Sequence, residues 1–348
     1  MLKCPINKYE KGHCICFCWM MVMMIMTKRL RTLLCDIDYR SIYARFYSSK
    51  VDLRKLRPMI LKRIERRAKD YPIPAMVPVA QEVLQARDLL IQGVSVLLKV
   101  FCVTACKFCP EVYIGEKGHL IQTCHGYRHR GKNRVHEWIY GGINDILVPV
   151  ETFHLNMFQD VIKHQQRFDF PRIPAVVELC YQAGAEIQDK KTVCPSTASF
   201  NLTQNDNFEP EALSNSDLHT IASGTLTAWE IVRSGVKKLL MAYPAKVCKH
   251  CSEVHVGQSG HKARLCGVFK YESWRGSHFW KKADVDDLVP PKIVWYRRPQ
   301  DPPVLVDQGR EFYGHAPAIV ALCVQAGAIA PAKYNCMMKV QGLPSPTK

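Results

Sequence analysis

Two long stretches of this chain place apolar residues at helical spacing, and they are related by an offset of 142 residues. They cover about residues 79–101 and 224–243. Apolar side chains that recur every three or four residues form one face of an α-helix. The apolar positions are Val83, Leu90, Val94, Leu97 and Leu98 in the first stretch and Trp229, Val232, Val236, Leu239 and Leu240 in the second. The pattern therefore predicts two long amphipathic helices, with Gly93 and Gly235 at equivalent places.

A shorter helix is predicted further along each half, where the offset between the matching segments is 143 residues. The segments are residues 174–185 and 317–328. Each begins with proline and ends in Ala-Gly-Ala, and proline at the start with glycine at the end marks a short capped helix. Cys180 and Cys323 on these helices are predicted to be buried apolar residues.

Between the two helices of each half, cysteine and histidine recur in the same register. Each copy reads Cys-x2-Cys-x9-His-x4-Cys. The predicted ligands are Cys106, Cys109, His119 and Cys124 in the first copy and Cys248, Cys251, His261 and Cys266 in the second. Zinc takes four such ligands in a tetrahedron, and three cysteines with one histidine make a closed, structural type of site. We therefore predict two zinc ions per chain.

Other interpretations of these residues stay open on sequence alone. A Cys-x-x-Cys pair is also typical of thioredoxin-like redox sites, and the cysteines of a secreted protein form disulfides. Neither alternative requires a histidine and a third cysteine at fixed spacing, so zinc is the preferred interpretation. His136 and His278 also recur in phase. They are candidates for outer ligands, for RNA contacts or for packed structural side chains.

Much of the positive charge lies near the start of the chain. The 348 residues include 48 Lys and Arg against 31 Asp and Glu, which gives a formal net charge of +17. The first 70 residues hold 17 basic and 6 acidic side chains, so +11 of that charge lies there. A basic balance suits a polyanionic partner or a cationic leader. Net charge alone is therefore a weak argument for nucleic-acid binding.

Residues 1–47 are predicted to be a mitochondrial transit peptide. Cys14–Met26 is an apolar run of thirteen residues, which is too short to span a bilayer as a helix, and no small-residue cleavage site follows it. The Arg-rich sequence that follows ends in Arg-Phe-Tyr-Ser and predicts cleavage after Tyr47, although Asp36 and Asp38 count against it. We expect a mitochondrial protein without a membrane partner.

The remaining residues are predicted to form four segments. Residues 48–75 form a basic helix, residues 76–188 the first zinc repeat, residues 189–218 a flexible linker and residues 219–340 the second zinc repeat. The linker is rich in Asn, Ser, Thr and Asp and has no apolar periodicity. The predicted fold class is α+β and mainly helical, with two tandem zinc-stabilised repeats. Each repeat has a helix, a zinc hairpin, irregular loops and a closing helix.

Basic and aromatic residues interleave around each zinc motif. Unpaired bases stack on aromatic rings while Lys and Arg contact phosphates, so this mixture is typical of binding to single-stranded or irregular RNA. The predicted RNA contacts are Tyr127, Arg128, Arg130, Lys132 and Arg134 in the first repeat and Lys262, Arg264, Lys270, Trp274, Arg275, Lys281 and Lys282 in the second. The aromatic residues also suit the core of a small zinc fold. No phosphate-binding loop, dinucleotide fingerprint or nucleophile elbow is visible, so we expect neither an enzyme nor a small-molecule substrate.

The sequence resembles the plant Accumulation of Photosystem One (APO) family, and its mitochondrial member in particular. The resemblance is carried by the doubled cysteine–histidine pattern, the sequence from Val51 to Ile60, the triplet His136-Glu137-Trp138 and the sequence from Asn144 to Pro149. It covers residues 46–340. The Met- and Cys-rich extreme N-terminus departs from the family's pattern.

This resemblance implies an organellar, zinc-containing RNA-binding protein. Its partners would be transcripts that carry group II introns, together with other splicing factors, and its role would be to promote splicing of mitochondrial transcripts and so the accumulation of respiratory complexes. The family also implies a second class of function. A protein of that class would assemble or stabilise mitochondrial complexes that contain 4Fe-4S clusters, through contacts with proteins.

Overall fold

Each half of the chain has the same order of elements in this computed structural model, which describes residues 58–59, 72–125, 134–155, 162–186, 214–267 and 276–340. The elements of the first half are α1 (Val77–Val100), β1 (Val103–Cys106), β2 (Val112–Ile114), β3 (Trp138–Tyr140), α2 (Ile143–Ile146), β4 (Glu151–Phe153), β5 (Arg172–Pro174) and α3 (Ala175–Gln182). Short 3-10 helices lie at Pro74–Met76 and His164–Phe168.

The second half repeats this order and adds a short helix at its end. Its elements are α4 (Asn215–Ala242), β6 (Ala245–Cys248), β7 (Val254–Val256), β8 (Trp280–Lys282), α5 (Val285–Leu288), β9 (Ile293–Tyr296), β10 (Gly314–Pro317), α6 (Ala318–Gln325) and α7 (Asn335–Met338). Short 3-10 helices lie at Arg310–Phe312 and Ala332–Tyr334. The predicted transit peptide lies outside the described residues, and so do most of the basic helix 48–75 and the linker up to residue 213.

Each half contains a three-stranded and a two-stranded antiparallel sheet. In the first half β1 lies between β2 and β3, with Val103 opposite Ile114 and Cys106 opposite Trp138. In the second half β6 lies between β7 and β8 with the equivalent register, so that Cys248 is opposite Trp280. The two-stranded sheets pair β4 with β5 and β9 with β10. The central strand of each larger sheet therefore carries its first cysteine to the sheet's end.

The long helices α1 and α4 pack against each other in antiparallel directions, and glycines allow the close approach. A Cβ atom on Gly93 would lie 1.9 Å from Thr225 Oγ1, and one on Gly235 would lie 2.2 Å from Val83 Cγ2. Thr225 is the equivalent of Val83 at the repeat offset, so the two contacts are related by a pseudo-twofold axis. Leu97 and its counterpart Leu239 are fully buried, and burial of such a side chain contributes about 1.5–3 kcal/mol.

The two halves exchange their packing partners. We call the β4–β5 sheet with α3 the first closing unit, and the β9–β10 sheet with α6 the second closing unit. Strand β2 of the first half packs on β9 and α6, whereas β7 of the second half packs on β4 and α3. Equivalent backbone hydrogen bonds join the halves at both places: Leu120 donates to Leu305 at 2.8 Å, and Lys262 donates to Ile162 at 2.7 Å. We refer to this exchange as crossed packing.

One hydrophobic core runs through both repeats. It includes α1, α3, α4 and α6 and the inner faces of both three-stranded sheets. The described residues from 72 onward belong to one compact unit. Among the described residues, none of the helices is both long and apolar enough to span a membrane.

The α+β fold class and the two repeats are confirmed, but the description "mainly helical" needs correction. The described elements include both helices and small antiparallel sheets, and the clustered cysteines and histidines lie in or beside the three-stranded sheets. The first long helix lies close to its predicted range. The second begins at Asn215, about nine residues before its predicted start, because Ser214 caps it by accepting a hydrogen bond from the Asp217 amide at 3.2 Å.

Candidate metal centres

Three cysteines and one histidine meet at the end of the first three-stranded sheet. Cys106 ends β1, Cys109 lies in the turn before β2, and His136 lies two residues before β3. The sulfur atoms of Cys106 and Cys124 are 3.8 Å apart, and Cys109 Sγ lies 3.4 Å from His136 Nδ1. The candidate ligand atoms all lie within 4.8 Å of one another. We call this cluster the first centre.

The second repeat holds an equivalent cluster, the second centre, formed by Cys248, Cys251, Cys266 and His278. The sulfur atoms of Cys248 and Cys266 are 3.9 Å apart, and Cys251 Sγ lies 3.3 Å from His278 Nδ1. The loop that carries the last cysteine is fixed in the same way in both repeats. The Cys124 amide donates to the Arg134 carbonyl oxygen at 3.1 Å, and the Cys266 amide donates to Gly276 at 3.0 Å.

These separations suit a tetrahedral metal ion. Bonds of about 2.3 Å to sulfur and about 2.0–2.1 Å to nitrogen place two sulfur ligands about 3.8 Å apart, and sulfur and nitrogen about 3.6 Å apart, in a tetrahedral zinc site. A disulfide would instead require a sulfur–sulfur distance of about 2.05 Å, and none of the described cysteines forms one. Each centre therefore has the ligand types and spacing to hold one metal ion.

Backbone amides favour negative charge on the first sulfur of each centre. The Phe108 amide points to Cys106 Sγ at 3.5 Å. Burial acts to raise the pKa of Cys106, but the backbone hydrogen bonds of Phe108 and Cys109 lower it below its ordinary value. At Cys248, burial also acts to raise the pKa, but backbone hydrogen bonds lower it to about 6. Burial together with the neighbouring Cys106 raises the pKa of Cys109 to about 12. A bound cation would lower this pKa, because it stabilises the thiolate.

The histidine that joins the cysteines of the first centre is not the one in the predicted ligand set. His119 Nδ1 accepts a hydrogen bond from the Ile121 amide at 3.2 Å, and His119 Nε2 lies 3.0 Å from Glu111 Oε1. Both of its ring nitrogens are therefore engaged away from the sulfur atoms. His136 instead directs Nδ1 towards Cys109, and this residue takes the place that the sequence analysis gave to His119.

The same correction applies to the second centre. His261 Nδ1 accepts a hydrogen bond from the Ala263 amide at 3.2 Å, and His261 Nε2 lies 3.2 Å from Glu253 Oε1. His278 occupies the position beside the three cysteines. The two repeats thus make the same choice between their two histidines, and they make it through the same hydrogen bonds.

A half-buried carboxylate lies behind the histidine of each centre. Glu111 Oε2 is 3.3 Å from His136 Nε2, and Glu253 Oε2 is 3.3 Å from His278 Nε2. A carboxylate on the outer nitrogen fixes the tautomer and orientation of a ligand histidine. Burial acts to raise the pKa of Glu111, but the hydrogen bond from His119 and the charges of His136 and His119 lower it to about 2. Glu253 likewise has a pKa of about 2, so both carboxylates are ionised at neutral pH.

Each of these carboxylates is held by a residue of the other repeat. Trp295 Nε1 in β9 donates to Glu111 Oε1 at 2.7 Å, and Arg172 in β5 donates to Glu253 Oε1 at 2.8 Å. These contacts follow from crossed packing, which brings the second closing unit to the first centre and the first closing unit to the second. Both repeats therefore contribute to the surroundings of each centre.

Glycine and tryptophan complete the packing of the first centre. Gly118 has a positive φ of +65°, and a Cβ atom there would lie 2.4 Å from the indole nitrogen of Trp138. That nitrogen donates to the His119 carbonyl oxygen at 3.1 Å. Trp138 therefore packs on the Gly118-His119 pair. The feature of the sequence that could have identified His136 as a ligand is its recurrence together with this tryptophan in both repeats.

The described RNA candidates lie on the surface, and the others fall outside the described residues. Arg134, Lys262, Arg264, Lys281 and Lys282 are exposed. The candidates outside the described residues are Tyr127, Arg128, Arg130, Lys132, Lys270, Trp274 and Arg275. Sequence reasoning did not select the exposed ring of Tyr140, which ends β3 at 87% exposure.

The fold and the paired Cys3His clusters define a class of protein in which two repeats, each with a candidate metal site, pack together by crossed packing. The family model described as APO RNA-binding matches residues 44–195 and 206–341. The chain therefore belongs to the APO RNA-binding family.

Three relatives from Arabidopsis thaliana match over most of the chain. APO protein 2, chloroplastic, is 37% identical over 79% of this chain and 69% of its own length. APO protein 1, chloroplastic, is 39% identical over 77% of this chain and 69% of its own length. APO protein 3, mitochondrial, is 33% identical over 83% of this chain and 78% of its own length. No solved structure matches the chain.

Proposed function

We propose that this protein is an RNA-binding protein with one zinc ion in each centre, and that it promotes the splicing of group II introns in mitochondrial transcripts. The observation that carries the RNA-binding role is the match of an RNA-binding family model across both repeats. The intron class rests on the resemblance of the sequence to the APO family. The proposal includes no catalytic step, because the histidines and carboxylates around the centres are engaged with one another or with cysteines.

Zinc is supported by the ligand chemistry and geometry of the centres. Three sulfur atoms and one imidazole nitrogen surround each position, so four protein ligands leave no coordination position open for an activated water, as in structural zinc sites. Cys106, Cys109, Cys124 and His136 would hold one ion and Cys248, Cys251, Cys266 and His278 the other. Metal analysis of the folded chain should find two zinc ions per molecule, and fewer than one would reject this part of the proposal.

RNA binding is supported by exposed cations beside the second centre. Lys281 and Lys282 lie on β8, and the register places Lys282 directly opposite Lys246 of β6. Like charges directly opposite each other in a sheet repel, and a phosphate between them would relieve that repulsion. Lys262 and Arg264 are exposed in the loop that leads to Cys266.

The salt dependence of binding tests this surface. Affinity for single-stranded RNA falls with salt by about 0.7 logarithmic units per phosphate contact. Replacing Lys262, Arg264, Lys281 and Lys282 together by Gln should therefore reduce the slope by up to about 2.8 and weaken binding to a group II intron RNA. Zinc content must equal that of the unaltered chain. An unchanged slope and affinity would exclude these four residues as phosphate contacts.

The mitochondrial location is supported by the Arg-rich leader and by the mitochondrial relative, whereas two other relatives are named chloroplastic. Crosslinking followed by RNA sequencing from purified mitochondria and chloroplasts is the direct test. We expect intron-containing mitochondrial transcripts. Recovery of the protein from chloroplasts alone would reject the location. Stable association with respiratory-complex subunits and no recovered RNA would favour the assembly-factor alternative.

A further inference from the structure

A cavity of about 790 Å³ opens between β2 and the second closing unit. Its walls come from β2 and the loop after it, from the end of β9, and from one side of α6. Three aromatic residues line it, namely Tyr113, Trp295 and Tyr296. Its lining also includes the exposed cations Lys117 and Arg297 and the exposed acid Glu116. A volume within the usual range of ligand pockets, about 300–1,000 Å³, admits a nucleobase with its ribose.

The equivalent place between β7 and the first closing unit is filled by side chains. Glu178 of α3 is fully buried there, where it lies 2.7 Å from His154 Nδ1 and accepts a hydrogen bond from the Leu155 amide at 3.0 Å. Gln182 donates both to Glu178 at 2.7 Å and to the Val256 carbonyl oxygen of β7 at 3.1 Å. These bonds tie α3 to β7 and to the segment after β4, and they fill this position.

The repeat offsets show which substitutions open the first interface. Ala321 stands where Glu178 stands in the other half, so the buried carboxylate and its hydrogen bonds are absent there. Arg297 stands in place of Leu155, whose side chain lies 4.0 Å from a Cβ built on Gly257 and helps to close the second interface. Lys117 stands in place of Ser259.

Each of these differences makes the first interface more open or more basic. A short apolar side chain has replaced a buried acid, and two cations have replaced an apolar residue and a neutral polar one. Rings that face a cavity stack on unpaired bases, while Arg and Lys at its edge contact the phosphate of the same nucleotide. A neutral apolar ligand would not need the two cations.

We propose that this cavity, defined by Tyr113, Tyr296, Lys117 and Arg297 between the first hairpin and the second closing unit, binds one unpaired nucleotide of RNA. The proposal rests on the RNA-binding function proposed above and adds a site to it. It also makes the two pseudo-equivalent interfaces unequal, because one binds RNA and the other only joins the repeats.

Photocrosslinking locates the bound nucleotide directly. The full, zinc-loaded chain is irradiated with single-stranded RNA of mixed sequence that carries 4-thiouridine, and the crosslinked peptides are identified by mass spectrometry. We expect crosslinks within residues 113–118 or 295–297. Crosslinks found only elsewhere on the chain would overturn the cavity site while leaving RNA binding intact. Failure of the unaltered chain to bind RNA would reject the proposed function itself, and the site with it.

Substitutions taken from the equivalent interface test the role of the cations. The double variant Lys117→Ser and Arg297→Leu introduces the residues that the chain itself uses at Ser259 and Leu155. Loss of the one neutralised phosphate should reduce the salt slope by about 0.7. The matched control replaces Lys237 and Lys238 by Ser, since both are exposed on α4 and neither lines the cavity. Equal effects of the two double variants would mean general electrostatic attraction and would overturn the site.

Removal of a ring separates stacking from charge. Tyr296→Leu keeps an apolar side chain at a half-buried position but removes the stacking surface. We expect RNA affinity to fall at least about fivefold with the salt slope unchanged and the zinc content intact. If the affinity of Tyr296→Leu is unchanged and all crosslinks lie outside the cavity, stacking on Tyr296 is excluded.

Discussion

Only one of the two histidines of each repeat directs a ring nitrogen to the sulfur atoms. His119 Nδ1 accepts a hydrogen bond from the Ile121 amide, and His119 Nε2 points to Glu111. His136 instead directs Nδ1 to Cys109 and Nε2 to the same carboxylate. A metal ligand must offer a deprotonated nitrogen, and a carboxylate at the other nitrogen keeps the proton there. His136 therefore suits the role of ligand, and His119 suits the role of anchor for Glu111.

This division predicts unequal effects of two alanine substitutions. His136→Ala removes a ligand, so the cobalt-substituted first centre should lose the spectrum of a site with three sulfurs and one nitrogen. His119→Ala should keep that spectrum and lower zinc affinity by about 10- to 100-fold, because it removes only support for the carboxylate behind the ligand. Cobalt absorption and chelator competition measure both. A lost spectrum in His119→Ala with a retained one in His136→Ala would reverse the assignment.

The sequence was sufficient to select six cysteines that the structure brings together, because their spacing is the same in both copies. It selected His119 as the ligand on the spacing of the motif, although His136 recurs equally well in phase. The decision depends on the Ile121 amide and on the bridge that pairs Cys124 with Arg134 just before β3. Neither is visible in the spacing of residues along the chain.

At the scale of elements, apolar periodicity predicts the long helices well and the short strands poorly. Strands β3 and β8 have three residues each, which is too few for an alternating pattern to be recognised. The polar first turn of α4 reads as linker because Asn215 and Ser216 are turn formers, and only the Ser214 cap reveals a helix start. The ends of α3 and α6 were recognisable from the sequence, because a proline at the start and a glycine at the end act on the backbone at their own positions.

The contact between α1 and α4 predicts a steric effect at Gly93. Alanine normally gains up to about 1 kcal/mol over glycine inside a helix, but its Cβ would meet Thr225 Oγ1 at 1.9 Å. Overpacking costs about 1–3 kcal/mol, so Gly93→Ala should be destabilising in urea unfolding. Adding Thr225→Ala should restore stability. Gly142→Ala, where no atom lies within 4 Å, is the matched control, and equal effects at both glycines would contradict the steric argument.

At the scale of the whole molecule, crossed packing makes the repeats depend on each other. Strand β2 packs on the second closing unit and β7 on the first, and a single core runs through both long helices. The repeat in the sequence predicts two similar units. It does not show whether each hairpin packs on the closing unit of its own half or on that of the other half, because the sequence offset between the halves is the same in both cases. The choice between these arrangements is made by contacts between residues far apart in the chain, such as Leu120 and Leu305.

Separate halves should therefore fail to fold. Residues 70–188 alone would expose the faces of α1 and β2 that the second half covers, and residues 214–348 would expose those of α4 and β7. We expect poor amide dispersion in the NMR spectrum of either half with zinc, and a native-like spectrum when the two are mixed. A well-dispersed spectrum from one half alone would show that its hairpin can pack on its own closing unit.

Crossed packing also predicts that a substitution in one repeat weakens the metal centre of the other. Trp295→Phe removes the donor to Glu111 and keeps an aromatic ring, so it should lower zinc affinity about 10- to 100-fold at the first centre. Arg172→Met removes the donor to Glu253 and should have this effect at the second centre. Mass spectrometry after thiol alkylation identifies the centre that loses its ion, because bound cysteines are protected. Each variant is the control for the other. Loss of the metal ion from the centre of the substituted repeat itself would show that these hydrogen bonds between repeats do not support the ligands.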